Sequence, residues 1–280
     1  MLVLASGCAK DGVGGDGDGD GDGDAGSADG AQVSEACNMT GRWVGEQHVV
    51  STALSADQRT TTWYYYEITQ TGGTFTMTTV MNCGLVVDGT TTVTLGDDTL
   101  ECLARNEAAG NGRQGTFVQN GDSCEFHLDR SYNLRGADKA QYLLNTWQVG
   151  DDPIALSDFP ALPSEPPGMQ DWDDDAMDGV TLSTGLGNRY VAQRDWNEHD
   201  GTVPTFASEF GGEGVIDVTW DAQEAVSLQT SSFLRTGATP VQGGWARYTR
   251  ADDLVVVTTG DHPELDTCRN VQQYAAAKWP

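Results

Sequence analysis

The feature that most narrows the fold of this chain is a two-residue alternation of apolar and polar side chains, cut at short intervals by glycine turns. It is plainest at residues 63–83, where Trp63-Tyr64-Tyr65-Tyr66 opens a β-favouring run to Gln70 and Thr71-Gly72-Gly73-Thr74 makes a turn. On the return run Phe75, Met77, Thr79, Met81 and Cys83 fall on one face, and Thr74, Thr76, Thr78 and Asn82 on the other. Successive side chains of a strand point to opposite faces, so this is a hairpin with one face buried. Asp88-Gly89 signals a second hairpin between 85–87 and 90–95, and Asn120-Gly121-Asp122-Ser123 a third between 115–119 and 124–128. Further strands are expected at 44–50, 179–183, 189–194, 215–220, 245–250 and 254–259.

Consecutive strands joined by tight turns make an antiparallel meander. The expected fold is mostly β, a meander closing into a barrel or sandwich, with a short C-terminal helix. That helix begins near Asp266 and puts Cys268, Val271, Ala275 and Trp279 on one face. Two more short helices are expected. Ala140, Leu143, Leu144 and Trp147 follow helical spacing, and Asp221-x-x-Glu224 has the form of a capping box. Residues 151–168, with Pro160, Pro163, Pro166 and Pro167, read as an extended connector, and a division into two halves is expected near 160–178.

Charge restricts the partners. With 42 acidic against 15 basic residues the net charge is −27, so nucleic acid is repelled and cations are the natural counterpart. No stretch of about 20 apolar residues is present to form a spanning helix. Gly12-x-Gly14-x-x-Gly17 fits the spacing of a dinucleotide loop, but no strand precedes it and no helix follows.

The N-terminal region has a different character. Met1-Leu-Val-Leu-Ala-Ser-Gly-Cys8 is a short apolar run ending in small residues and a cysteine. Ala5-Ser6-Gly7-Cys8 resembles the lipobox that closes a bacterial lipoprotein signal, which implies lipid on Cys8 and a place in the cell envelope, at the outer membrane or cell surface. A full signal carries a basic region and about 7–15 apolar residues, so residues 1–8 read as the end of a longer signal. Residues 9–36 carry eight carboxylates against Lys10, with Gly-Asp alternation from Gly15 to Asp24 and no large apolar group. Such a segment buries too little to offset its ordering entropy and reads as a disordered tether. The globular region is then 37–280. The whole resembles bacterial lipoproteins with Gly/Asp-rich tethers, a class that implies a membrane-held domain for a ligand or envelope partner. Gly41-Arg42-Trp43 ahead of the meander is similar to the GxW that opens lipocalin-type barrels, which favours closure into a barrel.

One constellation carries chemistry. In Asp171-Trp172-Asp173-Asp174-Asp175-Ala176-Met177-Asp178-Gly179, alternate carboxylates at 171, 173 and 175 can turn toward one ion, and Asp178 can supply another oxygen. The run resembles the DxDxDG calcium loops of secreted proteins, with Ala176 where Gly is expected and no bidentate Glu after it. The resemblance implies a structural calcium ion before Val180.

Setting Cys8 aside, Cys37, Cys83, Cys102, Cys124 and Cys268 are widely spaced and show no zinc spacing. In an exported chain they suit one or two disulfides, and Cys37 with Cys268 would tie the ends of the folded region. His48, His127, His199 and His262 form no HExxH, and there is no GxSxG. Glu198-His199-Asp200 reads as a polar surface turn. The expectation is a non-catalytic binding domain. Its alternatives are a secreted hydrolase with paired carboxylates and a carbohydrate-binding module using exposed Trp and Tyr.

Overall fold

The computed structural model describes residues 35–53, 56–89, 93–108, 112–136, 171–173, 175, 177, 179–184, 187–227 and 239–280. The strands are β1 Gly41–Ala53, β2 Ala56–Thr71, β3 Thr74–Asp88, β4 Val93–Leu95, β5 Arg113–Asn120, β6 Ser123–Arg135, β7 Val180–Thr184, β8 Gly187–Pro204, β9 Glu209–Gly211, β10 Ile216–Ser227 and β11 Thr239–Arg250. Helix α1 spans Asp97–Ala108 and α2 spans Pro263–Lys278, and a 3-10 turn at Glu35–Cys37 precedes β1.

Eight strands close on themselves as an antiparallel barrel, in the order β1-β2-β3-β5-β6-β8-β10-β11 and back to β1. Two of them are long enough to serve a second arc. The start of β3 pairs with β5 while its end pairs with β4, and β4 continues through β7 to the start of β8. Strand β9 adds to β11. Strands from either side of residues 160–178 therefore join one sheet. The tight turns sit where the Gly pairs put them. Gly72 and Gly121 take φ of 61° and 62°, which costs a residue without Cβ little.

One end of the barrel interior is aromatic. Trp43, Tyr66, Phe75, Phe117, Phe126, Phe210 and Tyr248 are all buried there, with Phe126 5.3 Å from Tyr248 and 5.7 Å from Phe75 between ring centroids. The disulfide Cys37–Cys124 fastens the 3-10 turn across this end. Farther along the same strands the buried side chains turn polar: Gln47, Thr62, Asn82, Asn197 and His199. A second core lies outside the barrel, where Val44, Tyr65, Met81 and Cys83 meet Leu265, Cys268, Val271 and Ala275 of α2 and Leu100 and Ala104 of α1.

Several expectations from sequence are corrected. Met81 and Cys83 do not share a face with Phe75 and Met77, because the register shifts between Glu67 and Ile68. The extra residue turns the second half of β3 over, so Phe75 and Met77 fill the barrel and Met81 and Cys83 meet α2. Cys83, not Cys37, bonds to Cys268, and Cys102 is buried on α1 outside both of these bridges. Asp221-x-x-Glu224 opens no helix: β10 runs through it, paired with β8 from Ile216 to Ser227 with a shift at Ala222/Glu224. Ladder hydrogen bonds along eleven pairs outweigh one local cap. Residues 254–259 are irregular rather than a strand, and Leu254 is buried beneath α2 while the Val257 amide donates to Thr267 Oγ1 at 2.9 Å. Helix α1 was not expected. Asp97 and Asp98 favour its N-terminus and Arg105 pairs with Glu101 one turn earlier, while Leu100, Leu103 and Ala104 are buried. The residues of the expected 140–147 helix and of the connector lie outside the described residues.

Candidate functional site

The outer face of β1 collects a row of chemistry-bearing side chains. Strand alternation sends Trp43, Gly45 and Gln47 one way and Val44, Glu46 and His48 the other. The register then sets Glu46 between Arg247 of β11 and Trp63 of β2, and His48 between Trp245 and Thr61. Arg247 Nη2 donates to Glu46 Oε1 at 2.7 Å and Trp63 Nε1 donates to Glu46 Oε2 at 2.9 Å, and the His48 ring also bonds to Oε1. Burial raises the Glu46 carboxyl. The bonds from His48 and Trp63 and the charge of Arg247 more than offset that, and it stays below the ordinary carboxylate range.

Beside this row, α2 and β4 wall a groove of about 460 Å³ against β2 and β3. Trp63, Trp279, Leu85, Leu95, Leu100, Thr94 and Gln272 line it, with Glu46 at its edge. Two tryptophans are held in place by carboxylates. Trp63 is fixed by Glu46, and Trp279 Nε1 donates to Glu209 at 3.0 Å. The Arg247 guanidinium lies 4.5 Å over the Trp279 ring and 5.4 Å over Trp245, which itself stacks on His48 at 3.8 Å. Gln272 is fixed by donating to the Cys83 carbonyl at 2.7 Å. Glu46 is the one carboxylate among the groove's lining residues, and it is already saturated by its three partners.

The acidic loop forms a second cluster. Ligand atoms of Asp171, Asp173 and Asp175 lie within 4.8 Å of one another. The loop's ends meet where Asp171 bridges Gly179 and the Trp172 amide donates to the Gly179 carbonyl at 3.1 Å. Trp172 packs with Leu103 of α1 and Val180 of β7. Asp173 Oδ2 accepts from Thr99 Oγ1 at 2.7 Å and from the Thr181 amide at 2.8 Å. Burial raises the Asp173 carboxyl, and the charge of Asp175 adds to this against the hydrogen bonds. Asp178 lies outside the described residues, as does Cys8.

His199 does not stand in a surface turn. It is on β8, 1% exposed, and faces the barrel interior, where its Nδ1 bonds to the Tyr248 hydroxyl. Its neighbours Glu198 and Asp200 point outward on the same strand. Glu198 pairs with Arg130, and Asp200 Oδ1 bonds to the His127 ring at 2.6 Å. Glu198, His199 and Asp200 therefore cannot act as one triad. Full burial and the nearby Arg113 charge hold His199 well below the ordinary histidine value. A histidine depressed in the fold must gain a proton on unfolding, so stability is expected to fall as pH drops below about 6.5, by up to about 1.4 kcal/mol per pH unit. His127, raised by its hydrogen bond to Asp200 against the effect of burial, titrates with the opposite sign. Urea midpoints between pH 7.5 and 5 check the assignment: His199→Gln flattens the curve there, and an unchanged curve would place the loss elsewhere.

Sequence reading found the acidic loop and missed the groove. Glu46-x-His48 and Trp245-x-Arg247 are each spaced to share a strand face, which is the signal present, yet nothing local pairs β1 with β11. Among the described residues, no helix is long and apolar enough to cross a membrane. No protein-family model, curated protein or solved structure matches the chain.

Proposed function

We propose that this chain is a non-catalytic binding domain, exported and held in the cell envelope through lipid on Cys8, that takes a small neutral ligand in the groove beneath α2. The groove's two braced tryptophans carry this reading. A cleft of about 460 Å³ with aromatic walls and a few fixed polar groups has the size and character of a small-molecule site. The ligand is neutral because a net charge of −27 repels anions and Arg247 already answers the groove's carboxylate. A hydrolase with paired carboxylates is disfavoured at this groove, whose lining offers Glu46 alone.

Within this reading a sugar is the favoured ligand class, since Trp63 and Trp279 line the same groove as the Thr94 hydroxyl and the Gln272 amide. Calorimetric titration with maltose, cellobiose and chitobiose is expected to show binding that weakens at least tenfold in Trp279→Ala. Nile red binding in place of the sugars would assign the groove to an apolar ligand. Absence of both at millimolar concentration would overturn it. The anchor has its own test: labelling of cells with an alkyne-tagged fatty acid should mark the protein and fail with Cys8→Ala.

A further inference from the structure

We infer that Asp171, Asp173 and Asp175 form a calcium site that fastens α1 to β7. Three observations converge on it, independently of the groove. The carboxylates of the three residues bring their ligand atoms within 4.8 Å of one another, close enough to share one ion. Asp173 is 4% exposed, and its Oδ1 is buried with no hydrogen-bond donor, although Oδ2 has two. A buried carboxylate oxygen left without a donor is costly, and a cation beside it removes that cost. Among the described residues, no Lys, Arg or His pairs with Asp173 or Asp175 to do so instead.

The donor set selects the ion. All three donors are carboxylates, with neither thiolate nor imidazole, which suits a hard cation and disfavours zinc. Calcium takes six to eight oxygens in adaptable geometry, whereas magnesium demands a near-ideal octahedron and keeps most of its water. The three side chains supply part of a calcium shell, and water can complete it. Asp175, itself exposed, is oriented by accepting from Thr181 Oγ1 at 2.8 Å and from the Met177 amide at 2.9 Å. Because Thr99 belongs to α1 and Thr181 to β7, an ion on Asp173 holds both elements through one side chain.

Thermal unfolding and equilibrium dialysis with radioactive calcium test the site on the intact chain. After EDTA treatment, calcium at about 100 times its dissociation constant is expected to raise the Tm by about 5–10 °C, with one ion bound per chain. Asp173→Asn keeps the side chain's shape and removes the buried charge. It is expected to melt no lower than the parent in EDTA and to gain nothing from calcium. Asp175→Asn should likewise abolish binding and serves should the first variant fold poorly. An equal rise with magnesium would overturn the assignment to calcium. No rise and no bound ion, or binding that survives both substitutions, would overturn the site.

Discussion

Phe126→Ala is expected to lower the unfolding free energy by about 3–5 kcal/mol, among the largest effects of any single substitution in this chain. Phe126 is 2% exposed and touches four other rings: Phe75, Phe117, Phe210 and Tyr248, at 5.7, 6.1, 5.6 and 5.3 Å. Removing it loses the transfer energy of a benzyl group and leaves a cavity that the walls cannot close. Those walls are strands of a closed ring, tied on both sides by ladder hydrogen bonds. The opposite residue, Gly201, already stands so close to its neighbour that a Cβ there would lie 2.1 Å from the Val215 carbonyl oxygen. Urea unfolding at constant m-value gives the loss directly. Phe206→Ala is the control: that ring is 75% exposed, and its removal should change stability by less than about 0.5 kcal/mol. A loss below about 1 kcal/mol at Phe126 would mean that the aromatic end is not one packed unit.

Replacing Cys83 and Cys268 together by serine is expected to cost about 4–5 kcal/mol. The bond closes a loop of 185 residues, more than twice the 87 spanned by Cys37–Cys124. The entropy withheld from the unfolded chain grows only with the logarithm of loop length, so the longer bridge contributes slightly more than the shorter. Its position adds a second consequence. Cys268 is the covalent hold of α2 on β3, and with it gone the helix is kept by Leu265, Val271 and Ala275 against Val44, Tyr65 and Met81. The helix is therefore expected to open before the barrel does. Limited proteolysis should cut first within 251–262, and the groove should be lost with it, because Gln272, Ala275, Ala276 and Trp279 form one of its walls. A single cooperative transition at the parent's midpoint would show that packing alone secures α2. Cleavage in the barrel before α2 would show that the helix is not the weaker element.

The hairpins at Gly72-Gly73 and Gly121 were legible because a β-turn is a local event, decided by which residues tolerate positive φ. So was the C-terminal helix, whose buried face is Cys268, Val271 and Ala275 as their spacing implies. The acidic loop was legible too, since Asp171, Asp173 and Asp175 converge within a few residues of chain. What escaped was everything that depends on strands far apart in sequence. Glu46 meets Arg247 only because β1 pairs with β11 and closes the barrel. His199 lies inside and Asp200 outside because this part of β8 is a barrel strand between β6 and β10, where successive side chains alternate between interior and surface. One extra residue in β3 carried Met81 and Cys83 from the barrel to α2, and with them the partner of Cys268. Alternation by itself specified that each strand has two faces. Which face became interior was decided by closure, because register and bulges are set by the ring as a whole and one residue's slip inverts every side chain beyond it.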